Sequence, residues 1–160
     1  MIDKEKPYFE LSKIQDLTKD ILDAVFIKNF QLKRNYKVDV DIFNIDNKII
    51  LVVNLPGVDP KETEFLVDKD EVIVKAHRNL FLPQEMLNLK DYNELIQYVS
   101  NNAIAIENYY GDIQRKIKLP FEVELDNIRV VYVRGMFFIY LNKKSKQKLE
   151  QKKDDEVNEK

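Results

Sequence analysis

Few side chains in this sequence are suited to acid-base, nucleophilic or metal chemistry. The chain has one histidine, His77, and no cysteine, so thiolate catalysis, disulfides and cysteine-ligated zinc are excluded. Asp39 and Asp41 share one face of a predicted strand and resemble the start of a calcium loop, but Phe43 stands at the next ligand position. No glycine-rich phosphate-binding motif is present. The sequence therefore predicts a protein that is not an enzyme and that holds no metal or cofactor.

Arg115 is the most unusual polar residue, because it shares a predicted strand face with apolar side chains. Alternate residues of a strand point to the same side of a sheet, so Arg115 lies with Ile113, Ile117 and Leu119. The residues between them are polar. An arginine in such a position either reaches water along its aliphatic stem or pairs with a carboxylate or carbonyl. The pattern indicates a sheet edge or an interface.

Charge and hydropathy limit the partners and the compartment. The chain of 160 residues carries 26 basic and 28 acidic residues, a net charge of -2, and the two signs are interspersed. This balance argues against nucleic acid as the main partner. The first six residues lack the apolar stretch of a signal peptide, and no apolar run has membrane-spanning length. We expect a cytoplasmic protein with no membrane span.

An amphipathic helix is predicted over residues 12–30. Ser12 and Gln15 have the spacing of a capping box at its start. The apolar residues recur at steps of three and four: Ile14, Leu17, Ile21, Leu22, Val25, Phe26 and Phe30. An isolated helix of this length is marginal in water, so it requires an apolar surface. That surface is either the chain's own domain or another protein, and both alternatives remain open.

From Tyr36 onward the apolar period changes from 3.6 to 2, which indicates strands. Pro56 and Gly57 form a predicted type II turn after the first fully apolar strand, and Gly135 lies in a predicted two-residue hairpin turn. Strands are predicted at 38–42, 49–53, 64–67, 72–76, 110–119, 128–133 and 136–141. Seven short strands with turns between them predict an all-β antiparallel sandwich.

Three further segments complete the prediction. Residues 79–107 form a long loop with apolar residues at helical spacing, in which Asp91 and Glu94 can cap a short helix. Ile104-Ala105-Ile106 is a candidate extra strand. His77 is predicted to be an exposed histidine at a strand end with no acidic partner. Residues 145–160 are highly charged, and we expect a disordered tail.

The order of these motifs resembles the α-crystallin domain of small heat-shock proteins over residues 37–144. The features that carry the resemblance are Leu55-Pro56-Gly57-Val58 after an apolar strand, Tyr110-Gly111 with Arg115 and Leu119-Pro120, and residues 128–141 around Gly135. The resemblance implies an immunoglobulin-like sandwich that dimerises by exchanging a strand borne on the long loop.

The resemblance also assigns roles to single residues. Ile104 and Ile106 occupy the place of the exchanged strand, and Arg115 matches an arginine that makes ionic contacts between chains. Tyr109 and Tyr110 are expected at the same interface. Pro56, Gly57, Gly111 and Gly135 are expected to be structural turn residues. The segment after Lys144 lacks the Ile-x-Ile or Ile-x-Val motif of typical members, so the chain resembles an atypical member. Dimers or small oligomers are expected.

The function that the resemblance implies is that of an ATP-independent chaperone, or holdase, which binds partly unfolded client proteins. In this hypothesis residues 1–36 form an arm that binds clients together with exposed sheet edges, and residues 37–144 form the dimerising domain, with 79–107 as its loop. One alternative is a structural or coat-type assembly protein built on the same sandwich. Another is a CS-domain co-chaperone adaptor, a family that lacks the long loop.

Overall fold

The computed structural model describes Tyr8–Glu10, Asp20, Ile21, Asp23 and residues 36–88 and 91–145. Asp20, Ile21 and Asp23 are helical and lie within the predicted arm helix; the rest of that helix lies outside the described residues, as does the predicted tail after Ser145. The strands and the helix follow in this order: β1 (Tyr8–Glu10), β2 (Val40–Ile45), β3 (Lys48–Asn54), β4 (Glu64–Asp68), β5 (Glu71–Arg78), β6 (Phe81–Pro83), α1 (Tyr92–Asn102), β7 (Gly111–Lys118), β8 (Arg129–Val133) and β9 (Met136–Asn142). Short 3-10 turns occupy Pro60–Glu62 and Gln84–Asn88.

The strands form two antiparallel sheets and one short ribbon. The larger sheet has the order β2-β3-β9-β8 and the smaller sheet the order β4-β5-β7, whereas β1 pairs with β6 alone. Consecutive strands of the larger sheet are joined by hairpins at β2-β3 and β8-β9. The predicted all-β sandwich is confirmed.

The described residues group into two compact units, each held together by its own contacts. The first comprises the described residues up to Tyr36 together with Gly57–Asp59 and Ala76–Ile113; the second comprises Lys37–Pro56, Pro60–Lys75 and the residues from Gln114 onward.

The core of the second unit follows from the alternating pattern of its strands. Ile49, Leu51 and Val53 of β3 are fully buried, and so is Ile139 of β9 beside them. Phe137 of β9 meets Phe65 of β4 edge to face, with ring centroids 5.0 Å apart, which brings the two sheets into contact. Ile50 and Val52, on the other face of β3, are only half-buried.

Two tight turns depend on glycine. Arg134 and Gly135 connect β8 to β9 with φ angles of 50° and 82°, the pair of positive values that a type I′ hairpin requires. A Cβ atom on Gly135 would lie 2.9 Å from Cβ of Pro56. Leu55 N donates a hydrogen bond to the Gly135 carbonyl at 2.9 Å. The turn at Pro56 therefore packs against the glycine of the last hairpin.

Helix α1 lies in the first unit and begins as its sequence predicts. The Asp91 carboxylate accepts a hydrogen bond from Glu94 N at 2.8 Å, which satisfies one of the four unpaired N–H groups at the helix start. The long loop is thus partly helical.

One local expectation was wrong, one candidate strand does not form within this chain, and one element was not predicted. His77 is not an isolated exposed histidine: its side chain is only 20% exposed, and Nδ1 lies 2.7 Å from Asp112 Oδ1. Residues 104–106 form no strand within this chain. The ribbon of β1 and β6 was not predicted, because three-residue strands are too short to show a period.

No helix in the described part of the chain is long and apolar enough to cross a membrane.

Candidate interaction surfaces

The edge strand β2 presents apolar side chains to solvent. Its inner edge pairs with β3 over six residues, and no other described strand pairs with its outer edge. Ile42, Phe43 and Ile45 are exposed, Phe43 by 48%. The sequence carries a signal for this exposed surface. Ile42 and Phe43 are neighbours in the chain, so apolar residues occupy both faces of β2. A strand with an open edge and apolar exposed side chains is able to pair with another extended chain.

Two other edge strands repeat this property. Val130 and Val133 are exposed on β8, the opposite edge of the larger sheet. Leu66 is exposed on β4, an edge of the smaller sheet. Apolar surface is therefore distributed over three edges rather than gathered in one pocket.

The outer face of the smaller sheet is charged. Lys116 Nζ lies 3.1 Å from Glu71 Oε2, and Lys118 Nζ lies 2.8 Å from Asp70 Oδ2. The hydrogen bond from Lys118 lowers the pKa of Asp70, and the same bond raises the pKa of Lys118. The Lys118 and Asp70 pair is therefore stabilised in its ionised form at neutral pH, and the β7 side of this face is charged.

A second apolar cluster lies in the first unit. Four residues of the loop region, Leu80, Leu82, Leu95 and Val99, are buried together, and we call them the loop cluster. Ile21 is fully buried against them. Ile21 therefore packs on its own chain, which is one of the two alternatives for the arm helix. The other residues expected to bind clients, Ile14, Leu17, Leu22, Val25, Phe26 and Phe30, lie outside the described residues.

The residues expected at a dimer interface divide into two groups. Ile106 and Tyr110 pack partly against the loop cluster of their own chain. Ile104 is 92% exposed, the largest value among the exposed apolar side chains that the structure describes. An isoleucine so exposed, in the segment between α1 and β7, is available to a second chain.

Arg115 lies on β7 between two buried isoleucines, as the strand alternation predicts. Ile113 and Ile117 are buried, whereas Arg115 is half-buried. Its Nε atom is buried, and the described residues offer it no hydrogen-bond acceptor. A buried donor without an acceptor is unfavourable, so this position is suited to an acceptor from another chain.

Arg78 and Tyr109 form an aromatic and cationic group at the end of β5. The Arg78 guanidinium lies 4.4 Å from the ring centroid of Tyr36, and its Nη1 donates to the Tyr109 carbonyl at 3.4 Å. The Tyr109 hydroxyl donates to the Asp112 carbonyl at 2.5 Å. Burial raises the pKa of Tyr109, and the nearby Asp112 carboxylate raises it further. Tyr109 is therefore a neutral hydrogen-bond donor, fixed within its own chain.

His77 and Asp112 form a pair that the sequence did not predict. Sequence spacing gave no signal for this pair, because 35 residues separate its members. Asp112 is almost fully exposed, and within the described part of the chain no activated nucleophile is hydrogen-bonded to His77. Among the described residues no three His, Asp or Glu side chains are grouped closely enough to hold a metal ion.

Comparison with known proteins agrees with this architecture. The model of the Hsp20/alpha crystallin family matches residues 41–158. Small heat shock protein C2 of Rickettsia felis is 27% identical over 116 residues, which span 72% of this chain and 66% of that protein.

Solved structures give the same result. A small heat-shock protein from Xylella fastidiosa superposes with a TM-score of 0.51 at 25% identity and covers 69% of this chain and 89% of its own. Heat shock protein 16.0 of Schizosaccharomyces pombe, at 18% identity, covers 72% of this chain and 80% of its own, with a TM-score of 0.55, and supports the fold. Since the family model covers most of the chain and the sandwich has the matching topology, this chain belongs to the Hsp20/alpha crystallin family.

Proposed function

We propose that this protein is an ATP-independent holdase, which binds partly unfolded proteins and prevents their aggregation. Members of the small heat shock protein family are chaperones and not enzymes. The observation that carries the proposal is the exposure of apolar side chains on open sheet edges, with Phe43 and Ile45 on β2 as the strongest example. Such edges hold extended chains of varied sequence, because the backbone hydrogen bonds do not depend on side-chain identity.

The energetics suit clients of many sequences. Burial of one exposed Ile or Phe side chain contributes about 1.5–3 kcal/mol. Several such contacts are needed before the cost of ordering a client segment is offset. Ile42, Phe43 and Ile45 supply three of them on one strand. Binding then requires neither a nucleotide nor a defined client sequence.

The apolar residues of the arm belong to the same proposal. A helical spacing predicts one apolar face, suited to bind exposed client cores, for Ile14, Leu17, Ile21, Leu22, Val25, Phe26 and Phe30. Ile21 is buried against the loop cluster, so it contacts a client only after the arm has left this cluster.

We also propose a homodimer or small oligomer in the cytoplasm. Oligomers are typical of this family. The proposed interface contains Ile104, Ile106, Tyr109 and Tyr110 beside Arg115. The exposure of Ile104 and the unsatisfied Nε of Arg115 support it. In this arrangement the loop segment of one chain adds to the sheet of the partner and supplies an acceptor to Arg115.

The experiment compares two phenylalanine substitutions in an aggregation assay. Phe43→Ser removes an aromatic side chain from the β2 edge, whereas Phe121→Ser removes one of similar exposure, 46% against 48%, from a segment outside the strands. We expect Phe43→Ser to weaken protection of a heat-labile client in a light-scattering assay and Phe121→Ser to leave it unchanged. Equal protection by both variants, at unchanged oligomer mass, would remove the β2 edge from the proposed client site.

A further inference from the structure

The arm contacts the loop through two features, which together we call the arm contact. Strand β1 pairs antiparallel with β6, so that Tyr8 lies opposite Pro83 and Glu10 opposite Phe81. Ile21 is fully buried against the loop cluster of Leu80, Leu82, Leu95 and Val99. The arm therefore covers both a strand edge and an apolar cluster of the same chain.

The arm contact is small compared with the contacts that hold the sandwich together. The β1-β6 ribbon has three residue pairs, whereas β3 and β9 pair over seven. A two-stranded ribbon is marginally stable in water without further packing. Contacts of this size open locally while the rest of a protein remains folded. We therefore expect a minor population in which β1 and Ile21 have left the loop.

The loop retains structure of its own when the arm leaves. Leu80, Leu82, Leu95 and Val99 contact one another, and the half-buried Met86 and Ile96 pack against them. Helix α1 is capped by Asp91, which belongs to the loop. The loop cluster and helix α1 therefore have contacts of their own, in addition to the contact with Ile21.

That surface has the two properties that bind an extended apolar peptide. Among the described strands β6 pairs only with β1, so departure of β1 leaves the backbone groups of β6 open along one edge. The loop cluster lies beside this edge, because Leu82 belongs to β6 and Leu80 immediately precedes it. Strand addition with apolar side chains entering an adjacent cluster is a common mode of peptide recognition.

We propose that β6 and the loop cluster form a second client-binding surface, which takes extended apolar segments of partly unfolded proteins and which the arm of the same chain covers until a client replaces it. The inference rests on the proposed holdase function and adds a site to it. While the arm contact is formed, β1 occupies the place of the client strand, and Ile21 occupies the place of a client side chain. Opening of the arm contact frees Ile21 at the same time.

An engineered disulfide tests the inference directly, since the chain has no cysteine of its own. Tyr8→Cys with Pro83→Cys places two cysteines opposite each other in the ribbon. Antiparallel partners have Cα atoms about 4.5–5.5 Å apart, which is within the range that a disulfide spans. Glu64→Cys with Lys75→Cys is the matched control, because these residues pair across the β4-β5 hairpin, which is not expected to open.

Two measurements are made on the oxidised and reduced forms of each variant. Hydrogen exchange at the Phe81 and Leu82 amides reports opening of the arm contact without any client. Light scattering of a heat-labile client reports protection. We expect oxidation of the Tyr8 and Pro83 variant to slow the exchange and to raise the protein needed for half-protection about tenfold, because the competent state is removed. Oxidation of the control pair should change neither the amide exchange nor the client protection. Reduction of the Tyr8 and Pro83 variant should restore both the faster exchange and the stronger protection.

The outcomes separate the inference from the proposed function. Equal exchange in both forms means that the arm contact does not open, and this overturns the inference. Slower exchange with unchanged protection shows that the contact opens but that clients bind elsewhere, which overturns the inference and leaves the holdase function intact. A wild-type chain that gives no protection at all contradicts the holdase function itself, and the client-binding role of the loop cluster with it.

Discussion

Among single residues, Arg115 and Gly135 differ in whether their contacts are completed within the chain. Arg115 is a charged residue on a buried strand face, with an Nε that finds no acceptor in the described residues. Its cost to the isolated chain is offset if a second chain supplies the acceptor. Gly135 is different, because its partner Pro56 belongs to the same chain and the contact is complete. Arg115 is therefore proposed to bear on assembly, whereas Gly135 bears on folding.

Arg115→Ala is predicted to weaken the dimer with little change in the stability of the chain. Truncation leaves the partner's acceptor unpaired in a partly dry interface, and we expect a loss of about 1–3 kcal/mol of dimerisation free energy for this half-buried site. Mass by light scattering at low micromolar protein measures the effect. Arg129→Ala is the control, since Arg129 is exposed and lies over the ring of Tyr140 in its own chain. An unchanged mass for Arg115→Ala would contradict an interface role.

Gly135→Ala is predicted to destabilise the fold more than Gly57→Ala. Both glycines have similar φ angles, 82° and 77°, so an alanine at either position costs about 1–2 kcal/mol in backbone strain. Only at Gly135 would the new Cβ come within 3.0 Å of another atom, and this overlap with Pro56 adds about 1–3 kcal/mol. Urea denaturation measures the difference, and equal losses for the two variants would show that Pro56 moves aside.

At the scale of elements, the chain combines rigid strands with segments that have open edges. Strand β3 is paired on both sides and supplies fully buried residues, so it fixes the larger sheet. Strands β2, β8 and β4 each have one open edge and exposed apolar side chains. The loop adds a capped helix and a cluster that buries Ile21. In the proposed function, clients therefore bind at the borders of the sandwich.

Asp91→Ala is predicted to weaken helix α1 by about 1 kcal/mol, the usual cost of losing an N-cap side chain. The Asp91 carboxylate is the acceptor for Glu94 N at the helix start, and alanine leaves that N–H to water. Hydrogen exchange over residues 92–102 should become faster. Asp91→Asn keeps an acceptor at the same place and should retain slow exchange. Faster exchange with asparagine as well would show that the charge, not the hydrogen bond, stabilises the helix.

For the whole molecule, much of the fold was predictable because its signals are local. The parity of Ile113 and Ile117 placed Arg115 on the inner face, and the Asp91 and Glu94 spacing predicted the helix. The contact of His77 with Asp112 and the burial of Ile21 against Leu95 were not predictable, because each depends on residues brought together by the fold. The ribbon of β1 and β6 was missed because its three-residue strands are too short to show a period.

The candidate surfaces were predictable only in part. The exposure of Phe43 is expected once β2 is known to be an edge strand, because β2 has apolar residues on both faces. The order of the strands in the sheet, which makes β2 an edge, is not a local signal in the sequence. The roles of Arg115 and Ile104 at a dimer interface remain predictions, which need a second chain to be observed.

The measurement that tests the holdase function most directly is light scattering of a heat-labile client protein heated with equimolar wild-type chain and no nucleotide. The expected result is strong suppression of aggregation, with the same suppression when ATP is added, and recovery of the client in a soluble complex by size exclusion. An inert protein at the same concentration controls for nonspecific effects. Aggregation that proceeds as it does with the inert protein would contradict the proposed function.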